Sequence, residues 1–313
     1  MKIKKKLIPV ICATLLFTGC VKQQSAVENK EEIKQEVAGE FAKKSEEEQS
    51  RIMDEFQKLI EGDMSEIEVM KFVNNNIDTM SKENASKLVL GIEKVQGERM
   101  YKFFSDDIKE ELQKLDYFVD LNKLESYNIE SKELKEFLTV AKKSGYKLIA
   151  PEGMYDLIKD YEFLKNEYSE YVTEEIADYL NIVAMESKEP LMDDGEVVIS
   201  WDEVYKRLAA SEKFLHDYPK SEKVEVIKPL YLDYVMSYLY GANNTPVFDY
   251  SMNQDEADTM NEKAKASYLS IDYKASSFGQ LVKTYIEILE KNEFKLTDEV
   301  DEYRKGIYEK LNM

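Results

Sequence analysis

The chain has 313 residues, with 43 Lys or Arg against 63 Asp or Glu, so its formal net charge is −20. The 21 Tyr, 13 Phe and 13 Met, set against 11 Gly and 6 Pro, exclude a disordered or collagen-like chain and indicate a folded protein. Because an acidic surface repels phosphate groups, the charge also argues against a nucleic-acid partner.

The first 20 residues, MKIKKKLIPVICATLLFTGC, have the order of a secretion signal. Four Lys precede an apolar run over residues 7–17, which is shorter than the about 20 residues that a membrane-spanning helix needs. The ending LFTGC, residues 16–20, resembles the lipobox of bacterial lipoproteins, with Phe17 at a position that is usually aliphatic. This resemblance implies a signal peptide over residues 1–19, lipidation of Cys20 with acyl chains such as palmitate, and a membrane anchor on the extracytoplasmic face of the bacterial cell envelope.

The two Cys residues fit a lipoprotein leader better than the alternative, an ordinary secretory signal with an incidental Cys. Only Cys12 and Cys20 occur, and cleavage before Cys20 would remove Cys12. The mature protein would then have no internal disulfide and no free thiol for catalysis. Cleavage also removes four Lys and no acidic residue, which takes the net charge to −24.

Beyond the leader, the chain changes from a polar segment to helical periodicity. Residues 20–48 are rich in Glu, Lys, Gln and Ser, which predicts a tether. From residue 51 onward, apolar residues recur at three- and four-residue spacing, and alternation with period two is nearly absent. One such stripe runs from Met154 to Tyr168 and predicts a helix, while residues 224–240 predict the most buried helix. We therefore expect an all-α protein.

Capping residues and glycines mark where the predicted helices begin and end. The candidates are Ser200 with Glu203 as a capping box, Thr173 and Thr297 as N-caps, and Gly145 and Gly241 as helix ends. Residues 147–149 and 197–199 suit short extended segments, but neither run is long enough to support a sheet.

An inexact repeat of aromatic-Leu pairs favours stacked helix pairs. The pairs Phe163-Leu164, Phe214-Leu215 and Tyr268-Leu269 begin 51 and 54 residues apart, and we expect all six side chains in the core. The segment FLHDYPKS, residues 214–221, resembles the helix-ending signature of tetratricopeptide-like repeats in bacterial envelope proteins. In that reading Pro219 ends one helix and Ser221 caps the next.

This second resemblance implies a helical bundle over residues 49–145 that continues into a right-handed stack of helix pairs over residues 146–313, a tetratricopeptide-like solenoid. The boundary rests on the Pro residues of the mature chain, which all lie at Pro151 or beyond. A single continuous superhelix is the alternative. Such families usually bind a protein or peptide on a concave face.

Residues that could carry catalytic or metal chemistry are few. His216 is the only His, which excludes two-His zinc sites and di-iron bundles, and its place near a helix end favours an exposed or capping role. The Ser-x-x-Lys pattern at residues 144–147 lacks its companion motifs and fits a helix end. The loop at residues 193–196 lacks the spacing of an EF-hand, so a solvated turn is favoured over a calcium site. We assign no catalytic residue, metal or cofactor.

The Tyr residues are the remaining candidates for a binding site. We predict Tyr155 and Tyr171 as partner contacts, with packing in the helical core as the alternative. Together with the acidic charge, they predict a basic or amphipathic protein or peptide partner for a non-enzymatic, lipid-anchored adaptor. The alternative function is an envelope enzyme or glycan-binding protein that acts on cell-wall polymers through carboxylates and an aromatic groove. A two-lobed α/β solute-binding lipoprotein would need strand signals that the sequence lacks.

Overall fold

The computed structural model describes residues 43–252, 257–274 and 276–311, with the backbone alone at 100–103. Most of these residues are α-helical, which confirms the all-α prediction. The predicted signal peptide, Cys20 and most of the predicted tether lie outside the described residues. The right-handed, tetratricopeptide-like stacking of residues 146–313 stays a prediction, as does the boundary between residues 145 and 146.

The N-terminal part of the described chain contains helices α1 to α5. They are Glu46–Glu61, Glu66–Asn74, Lys82–Phe103, Asp106–Gln113 and Lys132–Lys143, with short 3-10 helices at Ile77–Thr79 and Leu121–Ser126. Helices α1 and α2 each begin with a complete capping box, Ser45 with Glu48 and Ser65 with Glu68. In each box the Ser and Glu side chains accept hydrogen bonds from backbone amides that have no acceptor inside the helix. The first residues of both helices are therefore well defined. Helix α1 therefore begins inside the segment predicted as tether.

A small antiparallel hairpin follows α5. Strand β1, Tyr146–Ile149, pairs with β2, Asp156–Lys159, and a 3-10 turn at Pro151–Gly153 lies between them. The prediction of one helix from Met154 to Tyr168 is therefore wrong, because α6 covers only Tyr161–Tyr168. The Asp160 side chain accepts a hydrogen bond from the Phe163 amide at 3.0 Å and starts α6 there. The residues before Asp160 are not helical, because Asp156–Lys159 pair with β1 as a strand.

The C-terminal part consists of paired helices with two further short hairpins. Its elements are α7 Glu174–Lys188, β3 Met192–Asp193, β4 Glu196–Val197, α8 Trp201–Asp217, α9 Val224–Tyr240, β5 Phe248–Asp249, β6 Thr259–Met260, α10 Glu262–Ser270, α11 Ser277–Lys291 and α12 Asp298–Leu311. Helix α6 packs against α7, and α8 packs against α9. Gly145 and Gly241, with φ of 70° and 77°, follow helices in the left-handed backbone region that glycine adopts without strain.

The predicted caps are confirmed in part. The Ser200 hydroxyl accepts from the Glu203 amide at 3.2 Å, but the Glu203 carboxylate turns to Arg207 instead of completing the box. Thr297 caps α12 through the Val300 amide at 3.4 Å. Thr173 makes no cap bond with its side chain. In both cases another side chain competes for the capping group, Arg207 for Glu203 and the Ser86 hydroxyl for Thr173.

The described residues belong to one compact unit with three apolar clusters. The first joins α1, α2 and α3 to α6 and α7, the second joins α4 and α5 to the β1–β2 hairpin, and the third lies among α8 to α12. The first cluster also contains Phe214 and Ile227 from α8 and α9. Apolar packing is therefore continuous across residue 145.

The aromatic-Leu pairs lie in the core except at one position. Leu164, Phe214 and Tyr268 are buried, and Phe163 and Leu215 are half-buried. Leu269 is 48% exposed, so its predicted core position is wrong. Adjacent residues of a helix point about 100° apart, so burying Tyr268 turns Leu269 away from the core. The apolar helix α9 has seven buried residues, as many as α8, so the prediction that it is the most buried helix is wrong. Its Val226 and Met236 side chains are exposed.

Candidate functional site

Tyr155, one of the two predicted partner contacts, is half-buried just before β2. Its hydroxyl donates to the Tyr117 carbonyl at 2.9 Å and accepts from the Val119 amide at 3.1 Å. Its ring stacks on Phe118 with centroids 5.6 Å apart, and burial raises the pKa of its phenol. Tyr155 therefore supports the local structure in addition to any contact that it makes with a partner.

Two exposed apolar residues are neighbours of Tyr155, Phe118 through ring stacking and Met154 in the chain. Phe118 is 47% exposed and Met154 is 67% exposed. The backbone beneath them is held by a hydrogen bond from Gln113 Nε2 to the Gly153 carbonyl at 2.8 Å. We call Phe118, Met154 and Tyr155 the apolar patch. It combines an exposed hydrophobic surface with a fixed support, which is typical of protein-binding sites.

Tyr171, the other predicted partner contact, lies elsewhere, in the turn between α6 and α7. Its amide donates to the Tyr168 carbonyl at 3.1 Å, and its ring is half-buried against the first apolar cluster. Tyr155 packs against the second cluster. The structure therefore gives the two tyrosines separate surroundings and does not unite them in one site.

The strongest concentration of buried polar chemistry is at Glu93 on α3, which sequence reasoning missed. One carboxylate oxygen accepts hydrogen bonds from the Tyr179 hydroxyl and from the Tyr161 hydroxyl, the latter at 2.7 Å. The other oxygen accepts from Lys223 Nζ, also at 2.7 Å. The side chains of Glu93 and Lys223 are only 10% and 13% exposed. We call these four residues the Glu93 network.

The Glu93 network fixes the protonation state of its members. Burial by itself raises the pKa of Glu93, but the Lys223 and tyrosine hydrogen bonds outweigh it and lower that pKa. Burial and the Glu93 charge raise the pKa of both Tyr161 and Tyr179. Glu93 is therefore an ionised hydrogen-bond acceptor at neutral pH. A general acid in a hydrolase needs the opposite shift of its carboxyl pKa.

Local sequence explains how Lys223 reaches this position. The turn between α8 and α9 contains Pro219, as the repeat signature predicts, and the Ser221 hydroxyl accepts from the Lys223 amide at 3.1 Å. Lys223 is the residue before α9. Its ammonium also lies 4.9 Å from the centre of the Tyr179 ring, so the aromatic face contributes to holding the charge.

A second buried ion pair joins α7, α8 and α9 at Arg207, which is 2% exposed. Its guanidinium donates to Glu186 and Glu203, both at 3.1 Å, and to the Glu189 carbonyl at 2.7 Å. The Tyr234 hydroxyl donates to the same Glu186 oxygen as Arg207, at 2.8 Å. All of these groups satisfy one another, so this cluster is structural.

The patterns that resembled catalytic or metal motifs have structural explanations. His216 is exposed and contacts Asp217 at 2.8 Å at the end of α8. Ser144 ends α5, and the Lys147 ammonium donates to the Ser187 carbonyl instead of to Ser144. The Asp193–Glu196 loop is a hairpin with positive φ at Asp194 and Gly195, held by the Asn244 amide. Among the described residues, no group of three or more His, Cys, Asp or Glu could hold a metal ion.

Similarity to known proteins adds nothing to this picture. No family model matches the chain, and no curated protein or solved structure matches it significantly. Within the described part of the chain, no helix has the length and apolar character needed to cross a bilayer.

The lowered pKa of Glu93 predicts a pH dependence of stability. Its ordinary pKa is 4.5. A carboxylate with a lowered folded-state pKa stabilises the fold fully above the unfolded value and loses this contribution as pH falls through the folded value. We expect Glu93→Gln to lower the free energy of unfolding at pH 7 by about 3 kcal/mol, because it leaves Lys223 without its counter-charge. The difference from the wild type should shrink below pH 4.5.

Urea unfolding at pH 7 and at pH 3 measures this difference. Glu98→Gln on the same helix is the matched control, since Glu98 is 57% exposed and 3.9 Å from Lys94. We expect that control to change stability by less than about 0.5 kcal/mol at both pH values. Equal effects of the two substitutions would contradict the structural role of Glu93.

Proposed function

We propose that the protein is a non-enzymatic, lipid-anchored adaptor or binding lipoprotein on the extracytoplasmic face of a bacterial membrane, and that it binds a protein or peptide. The anchor would be Cys20, which the lipobox-like ending of the leader supports. Two acyl chains contribute about 0.8 kcal/mol per buried CH₂, which gives stable anchoring where one chain binds only marginally. The acidic helical unit would stand off from anionic lipids at the end of its tether.

The exposed apolar patch carries the binding part of this proposal. Phe118 and Met154 expose a large fraction of their apolar surface, while the stacked Tyr155 ring and the Gln113 hydrogen bond fix their position. A rigid apolar surface loses little entropy when a partner covers it. The packing of α8 against α9 around the 214–221 turn supports the helix-pair scaffold that the sequence signature implies.

The charge around the patch favours a basic, amphipathic partner. Asp116 and Glu152, both exposed, lie within two residues of Phe118 and Met154 in the chain, and the protein as a whole is strongly acidic. Exposed charges act over about 8 Å at physiological ionic strength, which is enough to steer a cationic helix to the patch. Its apolar face would then cover Phe118 and Met154.

The anchor is tested by Cys20→Ser. Without the thiol there is no thioether to the diacylglycerol, so we expect the variant to leave the membrane fraction or to keep its leader uncleaved. Cell fractionation with immunoblotting measures both outcomes, and Cys12→Ser is the matched control because its residue leaves with the leader. A Cys20→Ser variant that is processed and stays in the membrane fraction would contradict the proposal.

The apolar patch is tested with a fluorescent 18-residue helical peptide made of Lys and Leu. We expect Phe118→Ala and Met154→Ala each to weaken its binding about fivefold, and binding of the wild type to weaken as salt rises. Met64→Ala is the control, since Met64 is 40% exposed at the turn before α2. Fluorescence anisotropy gives the dissociation constants. If Met64→Ala weakens binding as much as the patch variants do, the patch is not the binding site. Tyr155→Ala is unsuitable because its hydroxyl bonds would be lost as well.

The second candidate function is an envelope enzyme that acts on cell-wall polymers, and one carboxyl group favours it. Burial and the charge of Glu186 raise the pKa of Asp233 on α9. A carboxyl with a raised pKa beside an ionised one is the arrangement that glycoside hydrolysis uses. Glu186 already accepts hydrogen bonds from Arg207 and Tyr234, which weakens this candidate function. Fragments released from purified cell wall by the protein, and not by Asp233→Asn, would favour it over the adaptor.

A further inference from the structure

Two adjoining pockets meet at Lys159, the last residue of β2. The polar pocket, of about 560 Å³, lies against α1 and α3 and is lined by four Lys and three Glu. The apolar pocket, of about 420 Å³, lies between α7 and α9 and includes Ile158, Val183 and Leu230. Lys159 lines both pockets. The Tyr161 to Glu93 hydrogen bond connects a wall of the apolar pocket with a wall of the polar one.

Of the four Lys of the polar pocket, Lys87 and Lys94 are exposed, whereas Lys159 and Lys223 are half-buried. Lys223 is paired with Glu93, and Lys94 lies 3.9 Å from Glu98. In the described part of the chain, no carboxylate forms an ion pair with Lys159, and its ammonium lies 5.8 Å from the centre of the Tyr161 ring. Burial lowers the pKa of Lys159, the Glu93 charge acts in the opposite direction, and the Lys223 charge lowers that pKa further. Lys159 is therefore a partly desolvated cation, and the nearest carboxylate effect on it comes from Glu93, which is already paired with Lys223.

The backbone of α3 leaves room for the Lys159 ammonium. A Cβ atom at Gly97 would lie 3.3 Å from Nζ and 3.5 Å from Cε of Lys159, so a larger residue there would push the side chain away. A partly buried cation is costly unless an anion or a hydrogen-bond acceptor compensates it. The partly buried Lys159 ammonium therefore lies beside open pocket space in which an anion could pair with it.

We infer that this cleft binds a small organic anion that carries an apolar group, with the anion on Lys159 and the apolar group in the neighbouring pocket. The inference does not depend on the proposed adaptor function. A Lys ammonium is a compact point charge, so carboxylate, sulfonate and phosphate monoester groups all fit it. The two pockets together are lined by four Lys and four Glu, so the cleft lacks the negative excess of the rest of the chain. Charges farther away are screened beyond about 8 Å.

The apolar side of the cleft determines which anions are retained. Ile158, Val183, Pro190, Val226 and Leu230 line it, and Val226 is 41% exposed toward solvent. Covering such side chains contributes about 25 cal/mol per Å² of apolar surface removed from water. Inorganic phosphate, which has no apolar group, should therefore bind much more weakly than an aromatic anion.

The test uses a matched pair of fluorescent probes on the full chain. One is 8-anilinonaphthalene-1-sulfonate, and the other is N-phenyl-1-naphthylamine, which lacks the sulfonate. We expect Lys159→Met to weaken binding of the sulfonate at least tenfold and to change binding of the uncharged probe less than twofold. Lys159→Arg should keep most of the sulfonate affinity. Lys142→Met, an exposed Lys on α5, is the control for net charge, and Phe118→Ala separates the cleft from the apolar patch.

Four results would overturn the inference. The first is unchanged sulfonate binding by Lys159→Met, and the second is an equal loss for both probes, which would make cleft shape rather than charge the determinant. The third is unchanged sulfonate binding by Val226→Asp, which places a charge at the mouth of the apolar pocket. Melting temperatures show whether each variant is folded. If Lys159→Met does not fold, Lys159→Gln replaces it in the same binding assays. Loss of sulfonate binding in Phe118→Ala would also count against the cleft.

Discussion

One buried carboxylate connects the helices of this protein. Glu93 lies inside α3, and its three hydrogen-bond donors come from α6, α7 and the residue that precedes α9. Because a buried charge is costly unless its hydrogen-bond donors are in place, the Glu93 network favours the arrangement of these helices in which all three donors meet the carboxylate. The relative positions of these four helices, and the cleft beside Lys159, depend on that arrangement.

The sequence predicts the local structure well because local structure depends on near neighbours. Three- and four-residue spacing identifies the helices, and a Pro with a Ser two residues later identifies the turn between α8 and α9. The stripe from Met154 to Tyr168 misleads because a four-residue spacing also fits alternate residues of a strand, so periodicity did not distinguish β2 from α6. The burial of Leu269 was predicted wrongly because an aromatic-Leu pair does not show which of its two residues faces the core.

The candidate sites were harder to predict, for a physical reason. The hydrogen-bond donors to Glu93 are 68, 86 and 130 residues away in the chain, so no local sequence spacing predicts them. The available sequence signal was that Glu93 is next to Ile92, a member of the predicted apolar stripe. Tyr155 was predicted as a partner contact from its residue type, whereas the stacking of Phe118 on its ring is visible only in the fold. Tyr171 packs against the first cluster instead.

Glu93 and Lys223 should act as one buried unit, and a double-mutant cycle measures whether they do. Urea unfolding of wild type, Glu93→Gln, Lys223→Met and the double variant gives the coupling free energy between the two side chains. Because both side chains are largely buried and in direct contact, we expect a coupling of about 2 to 3 kcal/mol at pH 7. A coupling below about 0.5 kcal/mol, the range of independent sites, would contradict it.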